Sequence, residues 1–167
     1  MSLDNIQLPA IVLQGLFKNV LIDLDTATTQ KVTEKPAGIA FLGKNQKQIT
    51  IVTNNESTIY LPDEELNFLM GVLSACTLSM ADVALINIAK KVVLTYNKIQ
   101  EELNGEIVLL FGVEPMQLQL PLKFPQYQIQ KFNTQVYLSA PMLSAIAADK
   151  TEKTKLWNCL KEVFSIA

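Results

Sequence analysis

The run Ile107-Val108-Leu109-Leu110-Phe111 is apolar at every position and is closed by Gly112 and Pro115. A run without alternation predicts a strand buried on both faces, as in a parallel sheet covered by helices. Residues 82–90 form a second such run, broken only by Asn87, and 127–132 and 136–139 predict two further strands. Upstream, 38–43 and 48–53 are β-prone stretches joined by Lys44-Asn45-Gln46-Lys47, a connection of hairpin length, so an antiparallel pair is expected there. After Pro115 the residues Met116, Leu118, Leu120, Leu122 and Phe124 alternate with polar residues or proline up to Pro125. That pattern predicts an extended segment, lying over apolar surface or forming an exposed edge for a partner.

Helical spacing appears in four places. Leu13, Leu16, Phe17, Val20, Leu21 and Leu24 follow Pro9, and Leu66, Leu69, Met70 and Leu73 follow Pro62 and the acidic trio Asp63-Glu64-Glu65. Proline in the first turn and carboxylates at the positive end of the dipole both favour a helix start. Residues 91–103 predict a helix stopped by Asn104-Gly105, and 151–164 predict a last one with Leu156, Trp157, Leu160, Val163 and Phe164 on its apolar face. Residues 25–36 read as a loop. The order of elements predicts an α/β fold, a three-layer α/β/α sandwich with a mostly parallel central sheet, as one domain over 1–167.

Composition narrows the function. Of 167 residues, 49% are hydrophobic and 18% charged, which favours a packed core over a disordered chain. A net charge of −2 and a pI near 5.2 offer no basic field for a phosphate backbone, so strong nucleic-acid binding is not expected. The chain has no histidine, which removes the commonest general base and metal ligand. Cys76 and Cys159 sit in apolar helical contexts and read as core residues rather than a disulfide or a metal site. Gly43-Lys44 falls in the expected hairpin, so no phosphate-cradling loop precedes a helix. Neither a membrane span nor a signal peptide is visible, and the cytoplasm is the expected location, with no cofactor and no metal.

Two stretches carry a resemblance. Residues 67–90, with Asn-Phe-Leu-Met-Gly-Val-Leu-Ser leading to Ala-Asp-Val-Ala-Leu-Ile-Asn-Ile-Ala-Lys, and residues 107–164 resemble the helix–strand unit and the last part of the uracil-DNA glycosylase superfamily. That family's His-Pro-Ser-Pro-Leu-Ser segment appears as Ser139-Ala140-Pro141-Met142-Leu143-Ser144. Its water-positioning Gly-(Asp/Glu)-x-Pro motif appears as Asn54-Asn55-Glu56-Ser57, which keeps a carboxylate but lacks the glycine and the proline. The catalytic histidine is replaced by Ser139 or Ala140, so the resemblance implies the fold without base excision.

Asn87 matches the family's base-reading asparagine, although an asparagine at a strand end also satisfies backbone. With Glu56, Glu114 and Ser139 it defines a candidate pocket at the carboxyl ends of the strands, for a small ligand or a nucleobase. Ala140-Pro141-Met142-Leu143 and Lys153-Thr154-Lys155-Leu156-Trp157 are similar to the non-catalytic psi-subunit family of bacterial DNA polymerase III. This likeness implies a protein-interaction module with a clamp-loader or other replication partner. The candidate surfaces are Met116, Leu118, Leu120 and Phe124 in one segment, and Pro141, Met142 and Leu143 in the other.

Overall fold

In a computed structural model that describes residues 38–89 and 94–166, the apolar run at Ile107 is a strand with a partner on each side. The elements in order are β1 (Leu42–Gly43), β2 (Ile49–Thr53), α1 (Asp63–Ala75), β3 (Val83–Asn87), α2 (Tyr96–Leu103), β4 (Ile107–Phe111), a 3-10 turn (Pro115–Leu118), β5 (Ile129–Phe132), β6 (Gln135–Ala140), α3 (Leu143–Ala148) and α4 (Lys150–Phe164). They form a six-stranded mixed sheet of order β1-β3-β2-β4-β6-β5 with four helices. β3, β2, β4 and β6 pair in parallel, and the two outer strands are antiparallel. The described residues belong to one unit, Lys35–Ala167. The expected helix after Pro9 and the loop at 25–36 lie outside the described residues, so the single-domain reading is described only from residue 38.

Both faces of the sheet are covered. Ile49, Ile51, Val83, Leu85, Leu109, Phe111, Leu138 and Ala140 face Leu69 and Leu73 of α1, Leu143 and Ile146 of α3, and Leu156 and Leu160 of α4. Val52, Ala84, Ile86, Val108, Leu110 and Tyr137 face Ile99 and Leu103 of α2 together with Val113, Leu118 and Leu120. Every residue of β2 and β3 is buried, which is why neither strand alternates polar with apolar. Cys76 is buried and Cys159 half-buried, both as free thiols, and burial raises both pKa values. Among the described residues no helix is long and apolar enough to cross a membrane.

Local chemistry sets the helix ends. Pro62 gives α1 no side-chain cap, and Asp63, Glu64 and Glu65 in its first turn supply negative charge to its exposed N–H groups. Thr95 Oγ1 caps α2 by accepting from Lys98 N, and Asn104, at φ 47°, turns left-handed to close it. α2 therefore starts later than the expected 91; residues 90–93 lie outside the described set.

The expected hairpin is corrected by the sheet. β1 pairs with β3, Leu42 opposite Leu85 and Gly43 opposite Ala84, and not with β2. The connection is why: Asn45, Gln46 and Lys47 donate their N–H groups to the carbonyls of Val83, Ala81 and Asp82, so the loop rides on the start of β3. Gly43 sits at φ 114°, and a Cβ there would stand 2.1 Å from the Val83 carbonyl oxygen. Only glycine fits. The true hairpin is β5–β6, turned by Asn133 and Thr134 at φ 48° and 66°, the mirror-image turn that suits a twisted strand pair. The strand expected to continue through 144 stops at Ala140, because Pro141 has no N–H for the ladder, and Leu143 opens α3.

The loop before β5 is tied to α4. Tyr127 donates its hydroxyl to Glu152, which also lies 2.7 Å from Lys155 Nζ, and Cys159 Sγ donates to the Tyr127 carbonyl at 3.3 Å. The hydrogen bonds from Lys155 and then Tyr127 hold the Glu152 carboxyl below its ordinary value of 4.5. Its stabilising contribution is therefore complete above that value and is lost as the pH falls through the lowered one. Urea titrations between about pH 6 and pH 3 should show wild type more stable than Glu152→Gln at the upper end, with the gap closing at the lower end. A gap that persists unchanged in acid would mean that Glu152 acts here without its charge.

Candidate functional site

β2 leads to α1 on one face of the sheet and β4 leads to the 3-10 turn on the other, so the crevice between their carboxyl ends is the switch point where open α/β sheets hold ligands. Here the crevice is filled. Leu61, Phe111, Met142 and Leu143 close over Thr53, Asn54 and Asn55 and leave 10 Å³, room for about one water at most.

Asn87 stands beside this plug at 5% exposure. Its Oδ1 accepts from the N–H of Asn55 at 2.9 Å and of Ala89 at 3.1 Å. Its Nδ2 donates to the carbonyls of Asn55 at 2.7 Å, Thr58 at 3.1 Å and Ile59 at 3.2 Å. An amide offers two donors and two acceptor sites, so none is left for a ligand. Asn55 in turn accepts from Ser57 N and Oγ, an Asx turn that tightens the same loop. Glu56 is exposed at the tip of this turn.

A second hollow lies at the carboxyl ends of β4 and β6. This cleft of 600 Å³ is lined by Glu114, Met116, Lys123, Phe124, Ser139 and Met142, with Pro115, Pro125 and Pro141 among its walls. Gly112, at φ 65°, turns the chain out of β4, and a Cβ there would meet Met142 Cγ at 2.6 Å. Glu114 and Gln117 then cap the 3-10 turn reciprocally: the Glu114 carboxylate accepts from Gln117 N, and Gln117 Oε1 accepts from Glu114 N at 3.0 Å. Gln119, at φ 55°, reverses the chain toward the core.

This turn corrects the partner surface read from the alternation. Leu118 is 0% and Leu120 4% exposed, both core residues, while Met116 is 59% exposed. A 3-10 turn repeats every three residues, so Pro115 and Leu118 point inward together, whereas a strand would have grouped Met116 with Leu118. Leu143, also expected on the surface, is 1% exposed because it starts α3 and packs with Ile146. Met142 is 47% exposed, and Phe124 and Pro141 are half-buried.

The cleft thus joins Glu114 and Ser139 with Met116, Phe124, Pro141 and Met142, and does not include Glu56 or Asn87. Ser139 is 5% exposed; its carbonyl accepts from Tyr127 N at 2.8 Å, and its Oγ has no hydrogen-bond partner among the described residues. Lys123 and Gln126 also line the cleft, although the sequence reading did not single them out. Their signal was the bracket of Pro115, Pro121 and Pro125, which folds 113–126 back over the ends of β4 and β6. Among the described residues no three His, Cys, Asp or Glu side chains gather as a metal site would require. No family model matches this chain, and no curated protein matches it.

Proposed function

We propose that this chain is a non-catalytic α/β domain of the uracil-DNA glycosylase-like kind that binds a partner protein, as replication accessory subunits such as the psi subunit do. The observation that carries this reading is the pair Met116 and Met142, 59% and 47% exposed, flanking a 600 Å³ cleft while the switch-point crevice is filled. Exposed apolar side chains around a hollow are the usual mark of an interface, and methionine adapts to varied partners.

The order of elements supports the fold assignment. α1 leads to a strand ending in Asn87, β4 turns at Gly112, and β6 is followed by Pro141 and two helices, the order on which the resemblance rests. The loop aligned with the water-positioning motif is an Asx turn clamped by Asn87, and the histidine position holds Ser139 or Ala140. Glu56, Asn87, Glu114 and Ser139 do not meet in one pocket, so the reading of a nucleobase site built from all four loses its support.

The test is quantitative mass spectrometry of proteins that co-purify with the tagged chain. Substituting both Met116→Asp and Met142→Asp should reduce the specific partner about tenfold or more, because buried anchors dominate interfaces. Glu56→Gln should leave it unchanged. Clamp-loader or polymerase subunits among the lost proteins would support the replication role. Equal recovery with the double variant would remove this cleft as the binding surface.

A further inference from the structure

Resting on the partner-binding reading, we infer that the cleft takes an extended, uncharged peptide segment, which seats one large apolar side chain between Met116, Phe124 and Met142 and sets a backbone amide against Ser139 Oγ. Ser139 carries the argument. Its side chain is nineteen-twentieths buried, lines the cleft and has no hydrogen-bond partner among the described residues. Buried hydroxyls are ordinarily bonded, so this one marks where a ligand's polar group belongs.

The charges define that group. Lys123 and Glu114 are exposed, and the Glu114 carboxylate already accepts from Gln117 N. The buried part of the lining therefore holds a hydroxyl and no cation, and a phosphate or carboxylate seated there would lose its solvation without compensation. A neutral amide suits it, since Ser139 Oγ can donate to the carbonyl or accept from the N–H. One carboxylate and one ammonium at the mouth favour neither an acidic nor a basic segment. The occupant must also reach beyond the floor: Met116 and Met142 expose apolar surface at the rim, which a segment crossing the cleft covers and a small molecule at the floor does not.

The experiment follows the methionine methyl signals of the full chain, labelled with ¹³C, during titration with capped pentapeptides. The probes are acetyl-Ala-Ala-Leu-Ala-Ala-amide and its phenylalanine counterpart, with aspartate and lysine counterparts and inorganic phosphate as controls. The Met116 and Met142 signals should move with the apolar peptides and stay still with phosphate, while Met70 and Met80 stay still throughout. Ser139→Ala should weaken binding about fivefold, the share of one neutral hydrogen bond, while the thermal midpoint of the free protein stays level or rises. That combination separates a ligand-facing hydroxyl from a structural one. Still methyls at millimolar peptide, a response to phosphate or charged peptides alone, binding of benzamide without binding of peptide, or unchanged affinity in Ser139→Ala would each overturn the inference. If the double methionine variant loses its cellular partner yet the peptides leave the methyls still, this inference falls and the partner reading stands. If the peptides bind and that variant keeps its partner, the partner reading of the cleft falls instead.

Discussion

Asn87→Ala is expected to destabilise the fold by about 3–4 kcal/mol, equivalent to a fall in thermal midpoint of roughly 10–15 °C. The truncation removes the acceptor of two N–H groups, Asn55 and Ala89, and the donor to three carbonyls, Asn55, Thr58 and Ile59. Asn87 is 5% exposed, so water does not simply take its place, and each unmade bond carries part of the desolvation penalty. The effect should be local first. Leu61 follows the clamped loop and is 8% exposed as part of the plug, so release of the loop should open the 55–61 stretch to proteases well before global unfolding. Urea denaturation and limited proteolysis measure the two parts. A loss under about 1 kcal/mol would mean that the loop holds its shape without the asparagine.

Leu118→Ala is expected to cost about 3–4 kcal/mol, and Met116→Ala, two positions away, no more than about 0.5 kcal/mol. Leu118 is 0% exposed and packs with Val113, Leu120, Leu110 and Tyr137 on the α2 face of the sheet, so alanine leaves a cavity that a well-packed core fills only in part. Met116 is 59% exposed and gives up little. Urea midpoints of the two variants decide the matter: similar losses would contradict the inward turn of Pro115–Leu118 and restore the extended strand that alternation suggests.

That alternation shows where reading the chain stops working. Five apolar residues at every second position satisfy a strand, yet two of them also satisfy a 3-10 turn, and the choice was made by Pro115 with the Glu114–Gln117 cap. β2, β3 and β4 were legible because strands buried on both faces need no alternation, and α1 because Pro62 and three carboxylates announce its start. The partner of β1 was not legible. It depends on which strand lies at the sheet edge, and β3 lies some forty residues further along the chain. Asn87 could be read as a strand-end residue bonding backbone, but its loop partners are 28 to 32 residues upstream and nothing local names them. Ser139 stood out only as a replacement for histidine. Its place in a cleft required β6 to settle beside β4 and the stretch after Gly112 to fold over both.

The strand order also sets how the chain finds this structure. Apart from the β5–β6 hairpin, every pairing in the sheet joins residues separated by roughly thirty to sixty positions, and the widest gap lies between β2 and β4 in the middle. Closing such loops removes chain entropy before any contact returns it, which places sheets of this kind among the slower folders, on the millisecond-to-second scale. During that interval the β2 run Ile-Thr-Ile-Val-Thr, buried on both sides once folded, travels without its neighbours. A nascent copy of this chain therefore carries its greatest risk of self-association in the strand that ends up best protected.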